Sequence, residues 1–292
     1  MTEELLLHPH TKTYVAQYLG RPSHAVMLVG GNGVGKTYLA ETLAADVLGI
    51  TQKALPQYPY FKHITAEKDK DSISIDAIRE LQRFLQLKTV GKRPLRRMVI
   101  VEHADQLTTE AQNAYLKLLE EPPADTVMIL TVTNQRTLLP TILSRVQSIT
   151  VYAPEEVAVK DYFAGLGKDS ASVSQAFFLS GGLPGLMQAL LDGDADHPLM
   201  QGVTTAKEVL QKQTFERLAL VEGLSKQKET AGYVVEALQR IAQTGIEQSA
   251  MKADTVRLKR WQRILQAAAN ARIALSQGAN AKLTLSALML EL

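Results

Sequence analysis

Three continuous apolar runs without polar alternation stand out in the first half of the chain, at 25–29, 98–101 and 127–132. Such runs are typical of strands that are buried on both faces, as in a parallel sheet. Helical patterns alternate with them over 36–47, 75–87 and 109–121. Alternating strands and helices with short links predict an α/β domain.

The third of these helical patterns has clear end signals. Thr109 and Gln112 have the spacing of a capping box, which predicts the start of the helix, and Pro122-Pro123 ends it.

The hydrophobic pattern of the second half of the chain is helical. Short helical stretches interrupted by glycine follow Pro154, and from about residue 204 the pattern is helical throughout, with apolar residues spaced i, i+3, i+4 and i+7. We therefore predict three domains: an α/β domain over 1–153, a small helical domain over 154–200 and an all-α domain over 201–292.

Composition narrows the class of protein. The 292 residues include 32 Lys and Arg against 30 Asp and Glu, and no Cys. The near balance argues against a strongly polyanion-seeking protein, although it permits a local basic face. The missing cysteines exclude disulfides, thiolate metal sites and a cysteine nucleophile. No apolar run reaches the roughly 18 residues of a membrane span, and the first residues lack a leader pattern. We expect a cytoplasmic protein with no membrane partner.

The segment from Gly30 to Thr37 matches the phosphate-loop pattern G-x-x-x-x-G-K-[ST], between a predicted strand and a predicted helix. Backbone N–H groups of such a loop, here at Gly30, Gly33 and Gly35, surround phosphate oxygens at a helix N-terminus. Lys36 would reach the β- and γ-phosphates of ATP, and Thr37 would offer its hydroxyl to Mg²⁺. The alternative is a glycine-rich turn that binds nothing.

A second motif bears on hydrolysis. A hydrolysing phosphate-loop protein normally ends the strand at 98–101 with Asp, often followed by Glu, but Glu102 and His103 occupy these positions here. Glu102 could still contact a metal-bound water, and His103 could accept a proton. We expect nucleotide binding with weak or no hydrolysis.

Several further motifs of the sequence resemble those of a known family. The sequence Asn-Ala-Tyr-Leu-Lys-Leu-Leu-Glu-Glu-Pro-Pro at 113–123 is very close to a signature of bacterial clamp-loader subunits of the AAA+ class, and Leu-Pro-Thr-Ile-Leu-Ser-Arg at 139–145 resembles a second one. Weaker matches lie at 24–25, 74–81, 102–105 and 283–290. This ordered series covers nearly the whole chain and most resembles the delta-prime family.

The resemblance implies a RecA-like AAA+ domain, a helical lid domain and an α-helical collar that assembles with other subunits. It implies that Arg145 is an arginine finger acting on nucleotide bound by a neighbouring subunit; the alternative is a surface arginine paired with a local carboxylate. It places Thr133 and Asn134 at the sensor-1 position. The lid has Gly185 where hydrolysing subunits carry an arginine, which favours a stator-like subunit over a motor.

The resemblance further implies a function within DNA polymerase III holoenzyme. The chain would join gamma/tau and delta subunits in a hetero-pentamer that loads the sliding clamp onto primer–template DNA. Two alternatives stay open: an ATP-hydrolysing gamma/tau-type motor, and an AAA+ scaffold unrelated to replication. Many relatives insert a four-cysteine zinc module before residue 75; this chain has no cysteine there, so we expect no zinc.

The sequence also contains two runs rich in Lys and Arg. The first comprises Lys88, Lys92, Arg93, Arg96 and Arg97, for which a solvated loop is favoured over a DNA contact because no aromatic residues interleave with it. The second covers 257–263 on a predicted helix. There we expect the charges to face water, while Trp261 packs between helices or subunits.

Overall fold

The computed structural model describes residues 5–66, 72–91, 93–193, 198–226 and 228–292. The first four residues, used above in judging the leader, and Lys92 of the first basic run lie outside these described residues. The chain divides into two compact units, Met1–Pro154 and Glu155–Leu292. The predicted boundary between residues 153 and 154 stays a prediction. The further division at residue 200 stays a prediction.

The first unit is built on a parallel sheet of five strands in the order β2-β3-β4-β1-β5. The strands are β1 Ala25–Val29, β2 Phe61–Ile64, β3 Arg97–Val101, β4 Thr126–Val132 and β5 Gln147–Thr150. The helices of this unit are α1 Pro9–Gly20, α2 Lys36–Leu48, α3 Ile75–Gln86, α4 Thr109–Glu120 and α5 Pro140–Leu143. The α/β prediction is confirmed.

The three predicted strands are the central strands of the sheet, where both faces are covered. In β1, Ala25 pairs with Met128 of β4 on one side, and Val26 pairs with Gln147 of β5 on the other. Strands β2 and β5 were not predicted. They lie at the sheet edges, and in β5 only Ile149 is buried, so neither shows a continuous apolar run.

Because β4 pairs in parallel with both β1 and β3, the loops after β1, β3 and β4 lie together at the carboxyl ends of the strands. These are the loops that carry the phosphate motif, Glu102 and Thr133. Ligands of open α/β sheets bind at the carboxyl ends of the strands.

The predicted cap of helix α4 is wrong by one residue. Oγ1 of Thr108, not of Thr109, accepts a hydrogen bond from the backbone of Ala111 at 3.2 Å. Gln112 is buried and takes no part in a capping box, because its side-chain amide donates to the carbonyl oxygens of Leu107 and Thr137.

In its described residues, the second unit consists of helices and the turns that connect them. Its helices are α6 Glu156–Gly165, α7 Ser170–Ser180, α8 Pro184–Asp192, α9 Pro198–Gln211, α10 Thr214–Lys226, α11 Lys228–Met251, α12 Thr255–Ser276 and α13 Ala281–Glu291. Val234, Leu238 and Leu288 belong to its buried apolar positions, as the helical spacing predicts. Within the described part of the chain, every helix is too short or too polar to span a bilayer.

Candidate functional site

A glycine-rich loop connects strand β1 to helix α2. Gly33 and Gly35 have φ angles of 76° and 92°, which residues with a Cβ rarely adopt. Gly30 is required for another reason, because a Cβ there would lie 2.6 Å from the carbonyl oxygen of Val151. Helix α2 begins without a side-chain cap. Its first backbone N–H groups therefore face the loop and suit an anion.

Lys36 lies within this loop and is only 5% exposed. Its Nζ donates hydrogen bonds to the carbonyl oxygens of Gly30 and Gly31, both at 2.9 Å, and to Oγ1 of Thr133 at 3.3 Å. A buried ammonium needs such acceptors, since an unpaired charge away from water is costly. The acceptors hold the positive charge at the N-terminus of α2.

Thr37 and Glu102 are in direct contact, although 65 positions separate them. Oγ1 of Thr37 donates to Oε1 of Glu102 at 2.6 Å. The hydroxyl at the start of α2 and the carboxylate after β3 thus lie side by side at the carboxyl ends of the strands. Oxygen donors of this kind are those that Mg²⁺ prefers.

His63 of the edge strand β2 completes the surroundings of Glu102. Its Nε2 lies 3.1 Å from Oε2 of Glu102. The pKa of Glu102 is lowered, mainly by the imidazole of His63 and also by the Thr37 hydroxyl, while burial opposes the shift. Sequence reasoning missed His63. The only sequence signal for His63 was its position next to Ile64. The short segment around it lacks the apolar run that would have predicted a strand.

His103 does not join these contacts. It has a left-handed backbone with φ of 50°, and its backbone N–H donates to Oγ1 of Thr131 at 3.0 Å. Within the described part of the chain, its side chain makes no hydrogen bond. The geometry therefore does not place His103 as a base in contact with Glu102.

Thr133 links the phosphate loop to the end of strand β3. Its hydroxyl donates to Oδ1 of Asn32 in the loop at 2.9 Å. Oδ2 of Asp105 accepts from the backbone N–H groups of Thr133 and Asn134, both at 3.3 Å. The Asn134 side chain instead caps its own turn by accepting from the backbone of Arg136. Of the two predicted sensor residues, only Thr133 reaches the loop; Asn32 and Asp105 were not predicted.

Arg145 follows the short helix α5, in a different part of the unit. Its Nη2 lies 3.0 Å from Oε1 of Glu120, and its Nη1 donates to the carbonyl oxygen of Thr141 at 3.0 Å and to Oγ of Ser144 at 3.2 Å. The arginine side chain is 37% exposed. None of these contacts is with the phosphate loop. The guanidinium is held at the surface by groups from α4 and α5.

The first basic run is mostly structural. Arg97 is buried and donates to the carbonyl oxygens of Leu85 and Leu87. Arg96 pairs with Asp125, whose carboxylate lies 3.4 Å away. Arg93 donates to the carbonyl oxygen of Leu48. The expected solvated loop is thus wrong for Arg97, and these three arginines are held by contacts within the chain.

Comparisons with known proteins point to one family. Residues 15–155 match the family model described as DNA polymerase III, delta subunit. The DNA polymerase III subunit delta' of Pseudomonas aeruginosa is 30% identical over 226 residues, which are 71% of this chain and 68% of that protein. The delta' subunit of Escherichia coli is 30% identical over 64% of this chain and 60% of that protein. A gamma/tau subunit of Mycobacterium tuberculosis is 33% identical over 45% of this chain and 25% of that protein.

Proposed function

This chain belongs to the family of DNA polymerase III delta' subunits, and we propose that it acts as the stator-like subunit of a clamp loader. In this proposal it assembles with gamma/tau and delta subunits into a cytoplasmic hetero-pentamer. The assembly opens the sliding clamp and closes it on primer–template DNA. The chain braces the complex and supplies Arg145 to nucleotide bound by a neighbour.

The observation that carries the proposal is the position of Arg145. Its guanidinium is partly exposed and contacts Glu120 and not the chain's own phosphate loop. An exposed ion pair of this kind contributes only about 0–1 kcal/mol. Exchanging Glu120 for the γ-phosphoryl group of a neighbour's ATP therefore costs little. The charge developing on that group during transfer is what an arginine finger stabilises.

We further propose that the phosphate loop binds ATP with Mg²⁺. Lys36 would contact the β- and γ-phosphates, while Gly30, Gly33 and Gly35 shape the backbone around them. Thr37 and Glu102 would hold the metal through their oxygens. Bound Mg²⁺ would neutralise phosphate charge. His103 stands where hydrolysing phosphate-loop proteins often carry Glu, and this replacement supports weak or absent hydrolysis.

The decisive experiment uses the reconstituted clamp-loader complex. Arg145→Ala should leave assembly intact and abolish the part of the DNA-stimulated ATPase that depends on the facing site, because an arginine finger is worth about 10³-fold or more in turnover there. The matched control is Arg79→Ala, which also removes an exposed arginine with a carboxylate at 3.0 Å. An unchanged ATPase rate in the Arg145 variant would refute the finger role.

A gamma/tau-type motor is the second candidate. The contact between Thr37 and Glu102 favours it, because this pair could order a metal for hydrolysis. ATP turnover by the isolated chain distinguishes the two. Turnover that disappears in Lys36→Ala would support the motor, and its absence would support the stator. No observation favours the third class, an AAA+ scaffold unrelated to replication.

A further inference from the structure

The helical unit contains a basic pocket that the proposed function does not use. It lies where the end of helix α11 turns into the start of α12, and its volume is about 300 Å³. Its lining includes Gln248, Ser249, Lys252, Arg257, Arg260 and Trp261. We call this the α11–α12 pocket.

The pocket concentrates positive charge. Lys252, Arg257 and Arg260 line it together with a single carboxylate, that of Asp254. Asp254 is already committed to the fold, because its Oδ1 accepts from the backbone of Arg257 as the cap of α12 and its Oδ2 lies 3.4 Å from Nε of the same arginine. Among the described residues, Lys252 and Arg260 have no carboxylate partner. Arg260 also lies close enough to Arg217 to help burial lower the pKa of that residue. The pocket is therefore suited to an anion.

An aromatic ring forms part of the same lining. The indole of Trp261 lies against Gly245 of α11, where a Cβ would come within 2.4 Å of the ring. The expected packing between helices is thus observed, and it needs glycine at this position. The guanidinium of Arg260 lies 5.9 Å from the ring centroid. The indole is half-buried and is held beside the cationic groups.

Cationic side chains beside a fixed aromatic ring are the elements that bind single-stranded nucleic acid. The guanidinium and ammonium groups contact phosphates, and a base stacks on the ring. An acidic peptide would use the charges alone and would leave the indole without a role. Lys259 and Arg263 extend the exposed positive charge along α12 beyond the pocket. This gives a flexible polyanion further contacts.

We infer that the α11–α12 pocket binds single-stranded DNA, with phosphates on Arg257, Arg260 and Lys252 and one base on Trp261. The choice of DNA as the nucleic acid rests on the proposed function, whereas the phosphate and base chemistry rests on the pocket itself. The site differs from the phosphate loop because all of its groups lie in the helical unit.

The experiment exploits the fact that Trp261 is the single tryptophan of the chain. A ten-residue oligothymidylate is titrated into the full-length chain while tryptophan emission is recorded at several salt concentrations. We expect saturable quenching that weakens with salt. Arg257→Ala/Arg260→Ala should bind about ten-fold or more weakly, and the slope of log affinity against log salt should fall by about 1.4 for two lost phosphate contacts. Thermal melting confirms that the double variant is folded.

Lys207→Ala/Lys282→Ala is the matched control, because both residues are exposed on helices of the same unit and lie outside the pocket lining. It should bind like the wild type. Absence of quenching, or equal loss in both double variants, would overturn the inference. Equal quenching by a ten-residue polyglutamate would overturn it in favour of an acidic peptide. Because this assay needs no partner subunit and no ATP, its outcome is independent of the Arg145 experiment.

Discussion

The phosphate-loop cluster and the arginine corner use charged side chains in opposite ways. In the cluster, formed by Lys36, Thr37, Glu102 and their partners, the ammonium is nearly buried and meets three acceptors from two loops. In the corner, formed by Arg145 with Glu120 and α5, the guanidinium is partly exposed and paired with one carboxylate. Buried charges are costly to leave unpaired, whereas exposed pairs are exchanged cheaply. The cluster is thus suited to a ligand held within the chain, and the corner to a partner outside it.

Removing Lys36 should produce the largest effect on the cluster. Lys36→Ala deletes charge-assisted hydrogen bonds to the phosphates, worth together about 3 kcal/mol. ATP affinity should fall about 100-fold or more. Isothermal calorimetry of the isolated chain measures this affinity. Lys53→Ala, an exposed lysine in the same unit, is the control; equal ATP affinity in wild type and Lys36→Ala would refute the assignment of the loop.

Two glycines of the loop offer a matched pair for stability. Gly30→Ala places a Cβ 2.6 Å from the carbonyl oxygen of Val151, whereas a Cβ at Gly31 meets nothing within 4 Å. We expect Gly30→Ala to lower the free energy of unfolding by about 2 kcal/mol through overpacking. Gly31→Ala should change it by less than about 0.5 kcal/mol. Denaturant titration of both variants checks the difference, and equal costs would show that the loop is less tightly packed than described.

The charge of Glu102 makes the stability of the cluster depend on pH. Its pKa is lower in the fold, first because of His63. The ionised carboxylate therefore stabilises the fold above its unfolded pKa, about 4.3, and this contribution is lost as the pH falls through the lower folded pKa.

Glu102→Gln should cost about 1 kcal/mol at pH 7, and this cost should shrink as the pH falls below about 4.3. Unfolding titrations between pH 7 and pH 3 measure it. Glu80→Gln, which changes an exposed carboxylate of α3, serves as the control. A cost for Glu102→Gln that is constant over this pH range would contradict the description.

The arginine corner should give the smallest change in stability. Glu120→Gln removes the partner charge of Arg145, and because the pair is exposed we expect a loss of at most about 0.5 kcal/mol. Thermal melting of the isolated chain measures it. A loss as large as that of Gly30→Ala would break the contrast between the two regions, since the corner would then be a structural element.

The sequence allowed the central sheet to be predicted, because buried parallel strands have continuous apolar runs. It did not allow β2 and β5 to be predicted, since edge strands such as Gln147–Thr150 carry polar residues and no distinct period. The capping residue of α4 was misplaced by one position, although its first helical residue was predicted, because Thr108 and Thr109 offer the same hydroxyl. Only the backbone geometry decides which of them is the cap.

The sequence by itself determined the strand–loop–helix unit around Lys36, because the glycines, the lysine and the threonine of that motif act through adjacent backbone groups. It also indicated the family through ordered motifs, of which Arg145 is part. The tertiary structure alone decided which distant residues meet them. His63, Asp105 and Glu120 are ordinary polar residues in the sequence. They become partners of Glu102, Thr133 and Arg145 only when the parallel strands align their ends and α4 packs beside α5. Contacts between such distant positions leave no local pattern in a chain. Each of the two residues is compatible with its own strand, helix or loop whether or not the other is present.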